Sequence, residues 1–350
     1  MKRTSCFKIV IVLIALPLLS GCWDIKEIDK RDIPLIIGIR RENDNQYKVT
    51  LYIPETEKGS KLSRTVTQKG TNVSSALEQL KTNTKDALYY KQVRLILIQS
   101  NLANDNEDIS EVIQFLMKSK ELPSIALLAI TDENIEKMFS SINDKLDSHA
   151  TSVIDYFYKG VDWAPEISTT RIWEVYRSLF SYTNDIAVPV VNSGKDTLFS
   201  FEGSAVLKNG KMMERISPSE NQFIHLFQNH QTKGKIESLG YASIMVKNSS
   251  LQIKPSMKTD ELMVSSDLSI KIEILEKKEG VSHAQIQSDL EKLIEKRFYS
   301  LFEQAQINKA DIFGFGQHFR NQIPYSELKN WRDEYYPHLK VNFQAQVKIE

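Results

Sequence analysis

Phe201-Glu202-Gly203-Ser204-Ala205-Val206-Leu207-Lys208-Asn209-Gly210-Lys211-Met212-Met213-Glu214-Arg215 is the stretch that decides what kind of fold this chain can adopt. Phe201 to Leu207 and Lys211 to Arg215 are strand-like runs. Between them, Asn209-Gly210 is the dipeptide best suited to positive φ at both centres of a type I′ turn, so the segment reads as a tight antiparallel hairpin. Ser217-Pro218-Ser219-Glu220 then combines an N-cap serine, a proline at the first helical position and a glutamate three residues on. That capping box should start a helix running through Phe223, Ile224 and Phe227. Ser243 to Val246 and Leu251 to Ile253 read as strands. Leu262 to Leu275 alternates Leu268, Ile270, Ile272 and Ile274 with Ser, Lys and Glu, so one face of its sheet is wet. Ser282 to Gln306 places Ile286, Leu290, Leu293, Ile294, Leu301 and Ala305 near one stripe, the longest helical signal in the chain, which lying on a sheet would satisfy. Val341, Phe343, Ala345, Val347 and Ile349 alternate as a final strand.

Upstream of the hairpin the pattern changes. Ile33 to Ile39 and Tyr47 to Ile53 flank the polar turn Glu42-Asn43-Asp44-Asn45 and read as a first hairpin. Glu55 to Asn72 is polar and predicts a loop with at most one short strand near Thr65 to Thr67. Ala76, Leu77, Leu80, Ala87 and Leu88 keep mostly to helical spacing before the strand-length apolar run Val93 to Ile98. Ile109, Val112, Ile113 and Leu116 mark a second amphipathic helix, and Ser124 to Ile130 a second buried strand. Helical signals follow at Ile135 and Met138, at Val153, Tyr156 and Phe157, and at Ile172, Val175, Tyr176 and Phe180. Asp185 to Val191 is extended, with Pro189 limiting it to a sheet edge or a strand end. Asn192-Ser193-Gly194-Lys195-Asp196 is the clearest polar break.

These elements predict a multi-domain α+β chain, with mixed or antiparallel sheets, packed helices and a long C-terminal helix lying on an antiparallel sheet. The expected units are a leader at 1–21, an N-terminal region at 22–195 that divides into as many as two subdomains, and a C-terminal domain at 196–350.

The leader follows from its order of chemistry. Lys2, Arg3 and Lys8 are positive, Ile9 to Leu19 are apolar, Ser20 and Gly21 are small, and Cys22 follows directly. That is a signal peptide cut between Gly21 and Cys22, with diacylglycerol on the Cys22 sulfur and an acyl group on its amine. A membrane span needs about 20 apolar residues, and Ile9 to Leu19 is shorter and contains Pro17. One acyl chain binds a bilayer only marginally, whereas two hold firmly. Trp23 then suits either headgroup depth or the first folded turn.

Composition narrows the function. Lysine and arginine total 45 and aspartate and glutamate 45, so no net field recommends nucleic acid. The other cysteine of the two is Cys6, inside the leader, which leaves the mature body no disulfide and no cysteine metal site. The six histidines, at 149, 225, 230, 283, 318 and 338, form no zinc pair at helical spacing; His225 and His230 are five apart. There is no nucleophile elbow or P-loop, and Gly314-Phe315-Gly316 lacks the lysine of a phosphate cradle and reads as a tight turn. Asp333 and Glu334 fit a charged helix face. The expectation is a non-enzymatic protein with no cofactor and no metal.

Two ends of the chain resemble the Ger(x)C family, the lipoprotein C subunit of nutrient germinant receptors in spore-forming bacteria. At the front, Gly21-Cys22-Trp23-Asp24, Glu27-Ile28 and Ile37-Gly38-Ile39 resemble the family's lipidated start and first hairpin. Phe201 to Leu207 resembles its glycine-bearing strand. Asp311, Phe313-Gly314-Phe315-Gly316, Pro324 and Trp331 resemble its Asp-x-Phe-Gly-x-Gly, proline, tryptophan succession after the long helix. Residues 100 to 185 match in pattern more than in letters, and Glu350 falls inside the expected last strand, short of the family's glycine-bearing turn. The resemblance implies a non-enzymatic subunit on the outer face of the spore inner membrane, joined to A and B subunits, and an α+β body of about three domains. Whether it binds a small molecule directly is open. The competing reading is a solute-binding lipoprotein of a transporter, which predicts two doubly wound lobes around a cleft; a lipoprotein hydrolase would need a nucleophile or metal cluster.

Overall fold

A computed structural model describes residues 31–42, 46–55, 63–104, 106–145, 169–228, 233–258 and 261–350. The expected leader, Gly21, Cys22, Trp23, most of the first expected turn and the helical signal at Val153 to Phe157 lie outside the described residues.

The N-terminal part is built on four parallel strands flanked by hairpins. β1 (Ile36–Arg41) and β2 (Tyr47–Pro54) pair antiparallel, and β3 (Ser63–Gly70) adds to β2. Helix α1 (Val73–Asn83) leads to β4 (Leu95–Gln99), α2 (Asn106–Lys118) to β5 (Leu127–Thr131), and α3 (Ile135–Lys145) and α4 (Ile172–Leu179) to β6 (Ile186–Ser193). The hairpin β7 (Phe199–Lys208) and β8 (Lys211–Ile216) completes the order β8-β7-β6-β5-β4-β1-β2-β3, with Thr170–Arg171 pairing beside β5 as a ninth strand. β1, β4, β5 and β6 run parallel. Such strands are covered on both faces and read as unbroken apolar runs; Leu95 to Ile98 and Leu127 to Ile130 are accordingly all buried. Helices α1, α2 and α4 cover one face and α3, through Ile135, Met138, Phe139 and Ile142, the other. The molecule thus has one wide sheet where a solute-binding lipoprotein would have two doubly wound lobes.

After α5 (Pro218–Phe227), a second sheet runs β9-β10-β11-β12, from β9 (Ile236–Ser238), β10 (Ala242–Lys258), β11 (Glu261–Lys277) and β12 (Lys340–Ile349), with α6 (His283–Ile307) across it. It is antiparallel except at its last pair, where β12 returns through α6 and adds parallel to β11. Its core is aromatic: Phe298 stacks on Phe343 with centroids 4.0 Å apart, and Phe223 and Phe227 pack against both.

The expected turn chemistry is present. Asn209 and Gly210 have φ of 50° and 82°, and the Glu220 carboxylate accepts from the Ser217 N–H at 2.8 Å. Four sequence expectations need correction. Pro189 stands in an interior strand, not at an edge or end; it faces Ser204 beside an irregularity in β7 between Phe201 and Ser204, where the ladder is already interrupted and its missing N–H costs little. The short strand expected near Thr65 to Thr67 is longer, because β3 spans eight residues at the sheet's rim, where Thr, Gln and Lys suit a half-wet strand. Ser243 to Ile253 lies within a single 17-residue strand, β10, its alternation broken by a register shift between Val246 and Asn248. Ala87 and Leu88 belong to a two-residue strand after α1 rather than to the helix.

The polar break at 192–196 covers the last two residues of β6 and the start of its turn into β7, two paired strands. Alternate residues of this hairpin region face different cores: Ala205 and Leu207 join the N-terminal core, Val206 and Ile216 the C-terminal one.

Candidate functional site: a buried carboxylate joint

Asp311 lies in the turn after α6, fully buried, and its carboxylate organises the motif around it. Oδ1 accepts from the Phe315 N–H at 2.9 Å, and Oδ2 accepts from the Gly316 N–H at 2.7 Å and the Trp331 indole N–H at 2.9 Å. Gly314 has φ of 70°, the left-handed region where a side chain is strained, and this bend presents the next N–H groups to the carboxylate. Gly316 has a different reason: a Cβ there would sit 2.6 Å from Trp331 Cε2 and 2.7 Å from Thr183 Cβ. Trp331 stacks on Phe319, with centroids 5.6 Å apart, and Phe313 packs into the aromatic core. Pro324 serves apart from this cluster, its carbonyl accepting from the N–H groups of Glu327 and Leu328 to start a single helical turn.

Sequence reading missed the other half of the arrangement. Asp185, on the turn into β6, donates its N–H to the Asp311 carbonyl at 2.9 Å, and its Oδ2 accepts the Asp311 N–H at 2.8 Å. Arg332 grips the Asp185 carboxylate through Nε, at 3.0 and 3.2 Å, and through Nη2 at 2.7 Å, and donates to the Ser181 carbonyl at 2.7 Å. Asp185 and Arg332 are 147 residues apart in sequence, so no local spacing announces the pair. Their partnership with a motif neighbour, Trp331 beside Arg332, was the only available hint.

The electrostatics follow from burial. Asp311 has only N–H donors and no cation on its carboxylate, and desolvation pushes it up to about 7 against their pull. Desolvation likewise raises Asp185 despite Arg332, and holds the buried Tyr336 hydroxyl in its protonated form. At the edge of the cluster, Lys208 on β7 donates to the Asn308 carbonyl at 3.1 Å, and Asn308 donates to Glu214 on β8 at 2.7 Å. The result is a solvent-free joint that fixes the C-terminal turn against the wide sheet. Both carboxylates accept hydrogen bonds from the chain itself, so the joint ties the C-terminal turn to the start of β6.

Among the described residues no group of three His, Cys, Asp or Glu side chains could hold a metal ion. His225 is buried beside Asn221, while His149 and His230 lie outside the described residues. A cavity of about 20 Å³ under α5, lined by Gln222, Glu237 and Leu290 among others, has room for one water. No described helix is long and apolar enough to cross a membrane. Cys22, the expected lipidation residue, and Gly21, the expected cleavage residue, lie outside the described residues.

Comparison with known proteins covers nearly the whole chain. Residues 24–193 match the family described as the spore germination protein N-terminal domain, and residues 202–350 match the spore germination B3/GerAC-like C-terminal family. Spore germination protein KC of Bacillus subtilis (strain 168) is 23% identical over 99% of this chain and 95% of its own length. Spore germination protein B3 of the same organism is 21% identical over 100% and 98%. The crystal structure of the GerBC protein shares the fold, with a TM-score of 0.55 at 18% identity, covering 89% of this chain and 96% of that one.

Proposed function

The chain belongs to the Ger(x)C family of spore germination proteins, and from that premise we propose that it is the lipid-anchored, non-catalytic C subunit of a nutrient germinant receptor. One observation carries the reading: a family match that begins at residue 24, two residues after the candidate lipidated cysteine, and continues in two parts to residue 350. In this account Cys22 bears a diacylglycerol and an acyl group, and two chains suffice for stable anchoring. The body rests on the outer face of the spore inner membrane beside the A and B subunits. Confinement to a surface reduces the partner search to two dimensions and raises effective concentration without any new contact.

The test is Cys22→Ala in the native spore. The variant should leave the membrane fraction and germinate poorly in nutrient, while responding normally to a trigger that bypasses receptors. Normal nutrient germination with all of the protein soluble would overturn the proposal.

A further inference from the structure

We infer that the end of the wide sheet where β1, β4 and β5 begin is a membrane-facing surface that rests on anionic lipid headgroups. This rests on the anchoring at Cys22 proposed above.

Backbone hydrogen bonds trace a continuous rim at that end. Tyr89 donates to Asp32, Arg94 to Leu35, Leu127 to Arg94, and Trp173 to Ser124. The described chain begins on this rim, at Arg31. Arg31 lies nine chain steps beyond Cys22, a reach of at most about 32 Å, so a lipid on Cys22 keeps this end of the body near the bilayer.

The side chains on the rim suit that neighbour. Ile125, in the turn before β5, is 61% exposed. Two arginines lie over aromatic rings, Arg31 over Tyr89 at 5.3 Å and Arg177 over Trp173 at 5.1 Å. Amphipathic aromatics beside cations are the side chains that settle at the water–hydrocarbon boundary. Charge is also uneven. The rim segments 31–32, 85–94 and 171–177 hold six Lys or Arg against three Asp or Glu, in a chain whose totals balance at 45 each. Of the three acids, Asp32 is already paired with Arg64 and Glu174 accepts the Arg171 N–H. Basic residues near an anionic surface add attraction that salt screens. The other half of the same sheet end, at β6 to β8, is occupied by the carboxylate joint, which leaves this half for the membrane.

The experiment uses the lipidated full-length chain, in which an introduced cysteine is the only free thiol. A bimane probe is attached at Ile125→Cys or at Asn104→Cys, the latter beyond the far end of β4, about 17 Å along the strand. Each protein is reconstituted in phosphatidylcholine vesicles containing one third phosphatidylglycerol, with brominated acyl chains as quencher. Quenching at 125 should exceed that at 104 at least twofold, and should fall toward the level at 104 in high salt or on adding Arg94→Glu and Arg177→Glu. Protein that floats with the vesicles while 125 and 104 quench equally overturns the membrane face and leaves the anchor intact. Protein that fails to float overturns the anchor and this face together.

Discussion

Asp311 shows what a single buried carboxylate can hold. Its three N–H donors come from Phe315, Gly316 and Trp331, so Asp311→Asn turns an amide NH2 toward donors and should lower stability by about 2 to 4 kcal/mol in urea unfolding. The pH dependence has a defined sign. An unfolded aspartate titrates near 4, whereas the folded one is pushed up to about 7. Between those values the folded state holds the extra proton. The contribution of this group is therefore complete below about pH 4 and lost as pH rises toward 7. Urea midpoints measured from pH 4.5 to 7.5 should show that decline, and Asp311→Asn should flatten it. Gly316→Ala places a methyl against Trp331 and should cost about 1 to 3 kcal/mol by overpacking. At this scale the sequence was half informative: the turn glycines and the tryptophan stood out, but Asp185 and Arg332 approach only through tertiary folding.

At the scale of elements, α6 does more than cover a sheet. Gln287, Glu291, Glu295 and Tyr299 follow one another every four residues. Glu291 accepts the Val347 N–H at 2.8 Å and Glu295 the Ala345 N–H at 3.1 Å. Tyr299 accepts the Phe343 N–H at 3.0 Å, and Gln287 donates to the Val347 carbonyl at 3.1 Å. Four helical residues rise about 6 Å and two strand residues about 6.6 Å. The near match lets one helix stripe cap successive outward groups of the edge strand β12. An open edge invites pairing with another chain. Glu291→Ala with Glu295→Ala should therefore raise concentration-dependent self-association in light scattering, with little change in helix content. Elements with strong local codes, such as the Asn209-Gly210 hairpin and the stripe of α6, were legible in the sequence. Those shaped by the sheet were not: a register shift hid the unity of β10, and a rim position gave β3 a polar composition.

Across the whole molecule, the hairpin of β7 and β8 lends one face to each core, and Arg332 clamps Asp185 from the far end of the chain. The proposed division at residues 195 and 196 then marks a unit of sequence, while folding should be cooperative across it. Arg332→Met leaves Asp185 buried without its cation and should cost about 3 to 5 kcal/mol, shifting one calorimetric transition instead of splitting off a second. Most of the α+β class was readable from periodicity, and the family from its two ends. The sharing of one sheet by two cores was not, since it depends on which neighbour each alternate side chain finds.

Purification of the tagged full-length chain from dormant-spore membranes tests the receptor-subunit account most directly. It should bring down two further membrane proteins, one of them spanning the bilayer many times, with diacylglycerol on Cys22 by mass spectrometry. Recovery of the chain alone, with an unmodified Cys22 thiol, would contradict it.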